Sequence, residues 1–129
     1  MSKAVVIAFE GTLSDPSDRA HLDWDEYYAL LGNDKPVEAM ISLANVLGEQ
    51  YDIVVFTTTP EKYRQELTHW LLDNEVNCDK LLMKPNNEFK NEIEVKTALL
   101  DGVDVFVIFD DKEATVLSLR DLGYTVMEV

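Results

Sequence analysis

The chain has 129 residues and a formal net charge of −14, from 25 acidic against 11 basic side chains. That length fits a single domain, residues 1–129, with one sizeable core, and the acidity argues against non-specific binding to a phosphate backbone, which needs clustered Lys and Arg. No apolar run approaches the roughly 20 residues of a membrane helix, Met1-Ser2-Lys3 shows no signal-peptide pattern, and the lone Cys78 permits no internal disulfide, so a cytoplasmic location is expected and the thiol reads as structural or incidental.

The first β-forming run, Ala4 to Phe9, ends at a sharp Glu10-Gly11-Thr12 break, the kind of place where an α/β sheet presents a catalytic loop. An insertion follows, Ser14 to Lys35, with a polar loop carrying Asp15, Asp18, Arg19 and His21 and one short helix over Trp24 to Leu31. It is too small for a capping domain and leaves any pocket above the sheet open on one side, which suits a large substrate end or a protein partner. After Pro36, Val37, Met40, Ile41, Ala44 and Leu47 fall at helical spacing. A strand is predicted over Asp52 to Thr57, then a helix opened by Pro60 with Tyr63, Leu67, Trp70 and Leu71 as its apolar stripe. A strand over Lys80 to Met83, a helix over Glu92 to Leu100, a strand over Val103 to Phe109, a helix over Glu113 to Leu122 stopped by Gly123, and a strand over Tyr124 to Val129 complete the chain. Such alternation predicts an α/β fold with a five-stranded parallel sheet and helices on both faces.

The strand ends carry the chemistry. Asp110 and Asp111 put adjacent carboxylates at the sheet's carboxyl edge, where a hard cation with oxygen ligands could bind, or where one aspartate caps the next helix. Thr57, Thr58 and Thr59 before Pro60 offer hydroxyls and N–H groups suited to an anion, and serve equally well as helix caps. Lys96, one turn into its helix, reaches that cluster if it points along the sheet edge. His21 and His69 have no Cys/His partners at zinc spacing.

Together the segments FEGTL (Phe9 to Leu13), DRAHLDWDEYY (Asp18 to Tyr28), DKP (Asp34 to Pro36), VVFTTTPEKYRQ (Val54 to Gln65), LLMKP (Leu81 to Pro85), EVK (Glu94 to Lys96) and FDD (Phe109 to Asp111) resemble haloacid-dehalogenase-type (HAD) phosphatases. The likeness covers nearly the whole chain and is to the phosphatase domain of phage polynucleotide kinase and its small phage or bacterial relatives. It implies a HAD-like, Rossmann-type sheet with a minimal cap, an aspartyl-phosphate intermediate, and magnesium-dependent removal of phosphate from a nucleotide or a polynucleotide 3′-phosphate end. Carried over residue by residue, Thr57 stands at the phosphate-binding hydroxyl, Lys96 at the phosphate-neutralising lysine, and Asp110 and Asp111 at the metal-binding acids. The nucleophile position holds Ala8 and the acid/base position Glu10, which also falls among the candidate metal ligands. Gly-Arg-Pro after the second strand has become Thr58-Thr59-Pro60, and Lys84 stands where related sequences often have arginine.

A methyl group cannot attack phosphorus, and a catalytic unit without its nucleophile forfeits on the order of 10⁶ in rate. The leading expectation is therefore an impaired pseudo-phosphatase, with weakened magnesium binding, that binds a protein partner or a phosphorylated nucleotide or oligonucleotide end. The alternatives are a magnesium-dependent phosphomonoesterase with an altered site, and an acidic interaction protein that meets a basic partner or mimics nucleic acid.

Overall fold

The structure is a computed structural model that describes residues 3–129. The leader-free start read at Met1 and Ser2 lies outside the described residues. The first strand, β1 (Ala4–Ala8), is buried along its whole length. Because side chains alternate across a strand, Val5 and Ile7 enter one core cluster and Ala4, Val6 and Ala8 another on the opposite face.

The remaining elements follow in order: β2 (Ser14–Asp15), α1 (Trp24–Ala29), β3 (Lys35–Pro36), α2 (Glu38–Leu47), β4 (Asp52–Pro60), α3 (Arg64–Asp73), β5 (Lys80–Lys84), α4 (Glu92–Leu99), β6 (Val105–Asp110), α5 (Glu113–Asp121) and β7 (Val126–Glu128). The main sheet has the order β5-β4-β1-β6-β7 and is parallel throughout. Its first face is covered by Met40, Ile41 and Ala44 of α2 and Leu67, Trp70 and Leu71 of α3. The second face is covered by Leu100, just past α4, and by Val116 and Leu119 of α5. Each fully buried large aliphatic of this kind contributes about 1.5–3 kcal/mol relative to exposure, so the two layers bring the strand ends together on one edge. This is the α/β architecture expected.

Several boundaries differ from expectation. Strand β4 runs on to Pro60 instead of stopping at Thr57, because a residue preceding proline is biased towards extended backbone and Pro60 itself is extended, with φ −63° and ψ 148°. A 3₁₀ turn at Glu61–Tyr63 then intervenes, so α3 opens at Arg64 and not at the proline. The insertion helix stops at Ala29, followed by a 3₁₀ turn at Leu31–Asn33. At the end of the chain, β7 spans only the residues that pair with Ile108, Phe109 and Asp110 of β6. No helix among the described residues is long and apolar enough to cross a membrane.

Candidate active site

Four segments converge at the carboxyl edge of the sheet: the turn after β1, the end of β4, the end of β6, and α4. After β1 the chain folds back tightly, the amides of Leu13 and Ser14 both donating to the Phe9 carbonyl and Gly11 N–H donating to Ser14. Gly11 has φ +80°, and a Cβ there would fall 2.1 Å from a carboxylate oxygen of Asp111. A glycine is thus required by the backbone and by the close passage of Asp111. Ala8, at the end of β1, is 1% exposed, its methyl packed among Val54, Phe56 and Ile108. The position expected to hold the nucleophile is structurally a core position.

At the end of β4 the three threonines divide their duties. Thr57 and Thr59 are buried and donate their hydroxyls to the two oxygens of Glu10, at 2.6 and 2.7 Å, while the Thr57 oxygen accepts the Thr59 N–H at 3.0 Å. That N–H fixes the hydroxyl's direction: its lone pair faces the amide and its proton faces Glu10. Thr58, which alternates to the other side, lines the pocket. Thr57 and Thr59 therefore face Glu10 together while Thr58 faces the pocket, a consequence of the strand continuing through Pro60.

Lys96 is buried, and its ammonium donates to Asp110 at 2.7 Å, not to the threonines; Glu92 lies 3.7 Å away and the Phe56 ring 5.0 Å. The other Asp110 oxygen accepts the Lys112 N–H at 3.0 Å. Lys112 in turn donates to Glu92 at 2.8 Å. Burial works to raise the Glu92 carboxyl, yet the attraction of Lys96 and Lys112 outweighs it and holds the group below its ordinary value. Asp111 is pushed the other way, first by burial and then by the charge of Asp110, which a backbone hydrogen bond, Lys96 and a 3.3 Å bond from Thr12 offset only in part.

These contacts decide whether magnesium fits. The ion is ordinarily held by one or two carboxylates together with substrate phosphate. Here Ala8 offers no oxygen, both Glu10 oxygens serve threonines, and both Asp110 oxygens serve Lys96 and Lys112 N–H. Asp111 accepts one bond from Thr12, and among the described residues no group of three or more His, Cys, Asp or Glu is gathered as a metal cluster. Each Glu10 and Asp110 oxygen keeps a second lone pair beside its hydrogen bond, so Asp110 and Asp111, adjacent at the sheet edge, are the carboxylates that would hold the ion.

The insertion forms one wall. A two-residue antiparallel ladder of β2 with β3 closes its base, and Arg19 grips Asp34 bidentately, at 2.7 Å for each bond, while donating to the Tyr27 carbonyl at 2.7 Å and lying 4.1 Å from the Tyr27 ring centroid. Ser14 also donates to Asp34, and the Trp70 indole N–H reaches the Asp34 carbonyl at 2.9 Å. This clamp escaped the sequence reading; the signal available was one arginine and one aspartate bracketing the aromatic helix of the insertion. It holds α1 so that Trp24, Tyr27 and Tyr28 line the pocket together with Glu10, Glu92, Lys96 and Lys112. Burial first, then Glu10, pushes the Tyr28 hydroxyl up to about 12. Outside it, Trp24 is 69% exposed, stacks on Tyr28 (5.7 Å, 22°), and shares a cleft with Lys84 and Lys90. Tyr28 leans on Tyr63 at 5.4 Å. Elsewhere Cys78, its thiol raised by burial and bonded to the Lys80 carbonyl, has no part in the site.

Residues 2–129 match the family described as the polynucleotide kinase PNKP phosphatase domain. Among solved structures, a chain of the Pnkp1/Rnl/Hen1 RNA repair complex superposes with a TM-score of 0.90 at 20% identity, over 100% of this chain and 42% of that one. A second structure of a Pnkp1/Rnl/Hen1 complex gives 0.87 at 20%, over 100% and 46%. The chain thus spans less than half the length of either. The magnesium-bound HAD-hydrolase YfnB from Bacillus subtilis gives 0.72 at 10% identity, over 99% and 88%. No curated protein matches the chain. These likenesses establish a HAD-like fold.

Proposed function

The chain belongs to the polynucleotide kinase PNKP phosphatase domain family, and on that premise we propose that it is a catalytically silent member that binds a nucleotide or polynucleotide end without hydrolysing it. The observation that carries the silence is Ala8: a packed methyl stands where the family's chemistry needs a carboxylate, at a loss on the order of 10⁶ in rate. Glu10 is no substitute, because two hydroxyls hold its carboxylate. In-line attack would require it to leave both.

Binding is assigned to the mouth. Trp24 stacked on Tyr28 offers an exposed π-face, and base–aromatic stacking is worth about 1–3 kcal/mol per base. Lys84 and Lys90 share that cleft and make no ion pair among the described residues, so they are available to backbone phosphates. The overall charge of −14 repels the rest of a long strand, which favours docking of an end. Two structural neighbours were solved in Pnkp1/Rnl/Hen1 complexes, which favours a protein partner as a second reading.

The test is phosphate release from a nucleotide and a phosphate-ended oligonucleotide with added magnesium, by the wild type and by an Ala8→Asp, Glu10→Asp variant. Turnover only by the restored variant is expected; comparable turnover by the wild type refutes silence. Alongside, Trp24→Ala should abolish anisotropy-detected oligonucleotide binding while leaving the melting temperature nearly unchanged, and undiminished binding would move the contact elsewhere.

A further inference from the structure

In the familiar arrangement of an anion cradle, buried hydroxyls wait for a ligand's oxygens. Here they do not wait. Thr57 and Thr59, at 1% and 0% exposure, already donate to the two oxygens of one carboxylate, and that carboxylate sits on the turn leaving β1, within the pocket also lined by Lys96. We propose that Glu10 is a resident anion that fills the terminal-phosphate position of this pocket, so that the mouth accepts an end bearing a hydroxyl and rejects one bearing a phosphate.

Three features support the assignment. The first is geometric: the pair of Thr→Glu10 bonds presents two oxygens to two donors, as two oxygens of a phosphate would. The second is electrostatic. Glu10, Glu92, Asp110 and Asp111 face Lys96 and Lys112, and the ion pairs of Lys96 with Asp110 and of Lys112 with Glu92 leave no uncompensated cation for a phosphate dianion. The third is the accounting of buried donors. Among the described residues no buried side-chain polar atom lacks a partner, so removing Glu10 orphans two hydroxyls, and an orphaned buried donor costs about 1–3 kcal/mol until an acceptor arrives. Phosphate is such an acceptor.

This specificity rests on the nucleotide-end reading above, and two arms separate their failures. In the first, inorganic phosphate is titrated into the wild type, Glu10→Ala and Glu10→Asp, followed through the Thr57 and Thr59 amide resonances. The wild type should show no saturable binding, and Glu10→Ala should bind at least about 10-fold more tightly, equivalent to roughly 1.4 kcal/mol. Glu10→Asp, one methylene too short to reach both hydroxyls, should also admit phosphate, and it decides the matter if Glu10→Ala does not fold. Phosphate binding by the wild type as tight as by the variants, or no binding by either folded variant, overturns the proposal. In the second arm, matched oligonucleotides with 3′-hydroxyl and 3′-phosphate ends are compared. The wild type should prefer the hydroxyl end and Glu10→Asp should lose that preference; equal affinity of the wild type for both ends overturns the proposal. If neither oligonucleotide binds the wild type, the nucleotide-end reading and the end preference drawn from it both fall. The phosphate arm still decides whether Glu10 fills the cradle.

Discussion

Two buried ion pairs flank the carboxyl edge of the sheet, and by distance and exposure they are near twins. Arg19–Asp34 and Lys96–Asp110 both measure 2.7 Å, with side chains no more than 6% exposed. Their surroundings differ. Arg19 and Asp34 are enclosed by bonds to Ser14 and the Tyr27 carbonyl, all of which fasten the insertion to itself and to the end of β1. Lys96 lines the pocket, and beside the pair stand a second carboxylate, Glu92, and a second lysine, Lys112. The first pair holds backbone; the second holds charge in the wall of the pocket. Geometry alone therefore does not separate a structural pair from a site pair. What the remaining lone pairs and protons touch does.

The contrast can be broken by substitution. The largest effect is expected for Arg19→Met, which leaves Asp34 buried and uncompensated and should cost about 3–5 kcal/mol in denaturant unfolding. Adding Asp34→Leu should not restore stability, since Ser14 then keeps only its longer, 3.4 Å bond to the Phe9 carbonyl. A smaller effect is expected for Lys96→Met combined with Asp110→Asn, which removes both charges yet keeps an acceptor for the Lys112 N–H. That double variant should lie within about 1 kcal/mol of the wild type, because buried pairs often gain little over neutral replacements. A loss as large as that of Arg19→Met would make the two pairs equivalent and end the comparison. The smallest effect concerns pH. Glu92 is held below its ordinary value of 4.5, so its contribution is complete above that pH and is lost as pH falls through the lower, folded-state value. The melting-temperature gap between wild type and Glu92→Gln should be full at neutral pH and should close in acid; a gap that widens in acid would contradict the assigned charge network.

The layers of the fold were legible because each strand and helix declares its period. β1 reads as an unbroken apolar run since both of its faces are covered, and Gly123 does end the last helix, at φ +99°. Legibility ended where structure depends on pairing across distance. β2 and β3 are two residues each, too short for any period, and the Arg19–Asp34 clamp joins residues 15 positions apart. At the site, the sequence located Ala8, Glu10, Thr57, Lys96, Asp110 and Asp111, and the fold brings them to one edge. It could not show that Lys96 prefers Asp110 to the threonines, or that Thr59 and not Thr58 partners Thr57. Those outcomes turn on which side of an extended strand a hydroxyl faces, and on Pro60 prolonging the strand that faces it.

Ala8 lies in a core cluster, and that placement sets the cost of any change there. A carboxylate reintroduced at position 8 would be buried among apolar neighbours, at an edge where four acids already outnumber two lysines. Unpaired, such a charge is strongly disfavoured. An aspartate introduced at position 8 therefore carries a folding cost alongside its chemistry, and the neighbouring charges decide how large that cost is. Turnover by the Ala8→Asp, Glu10→Asp variant is for that reason read beside its melting temperature.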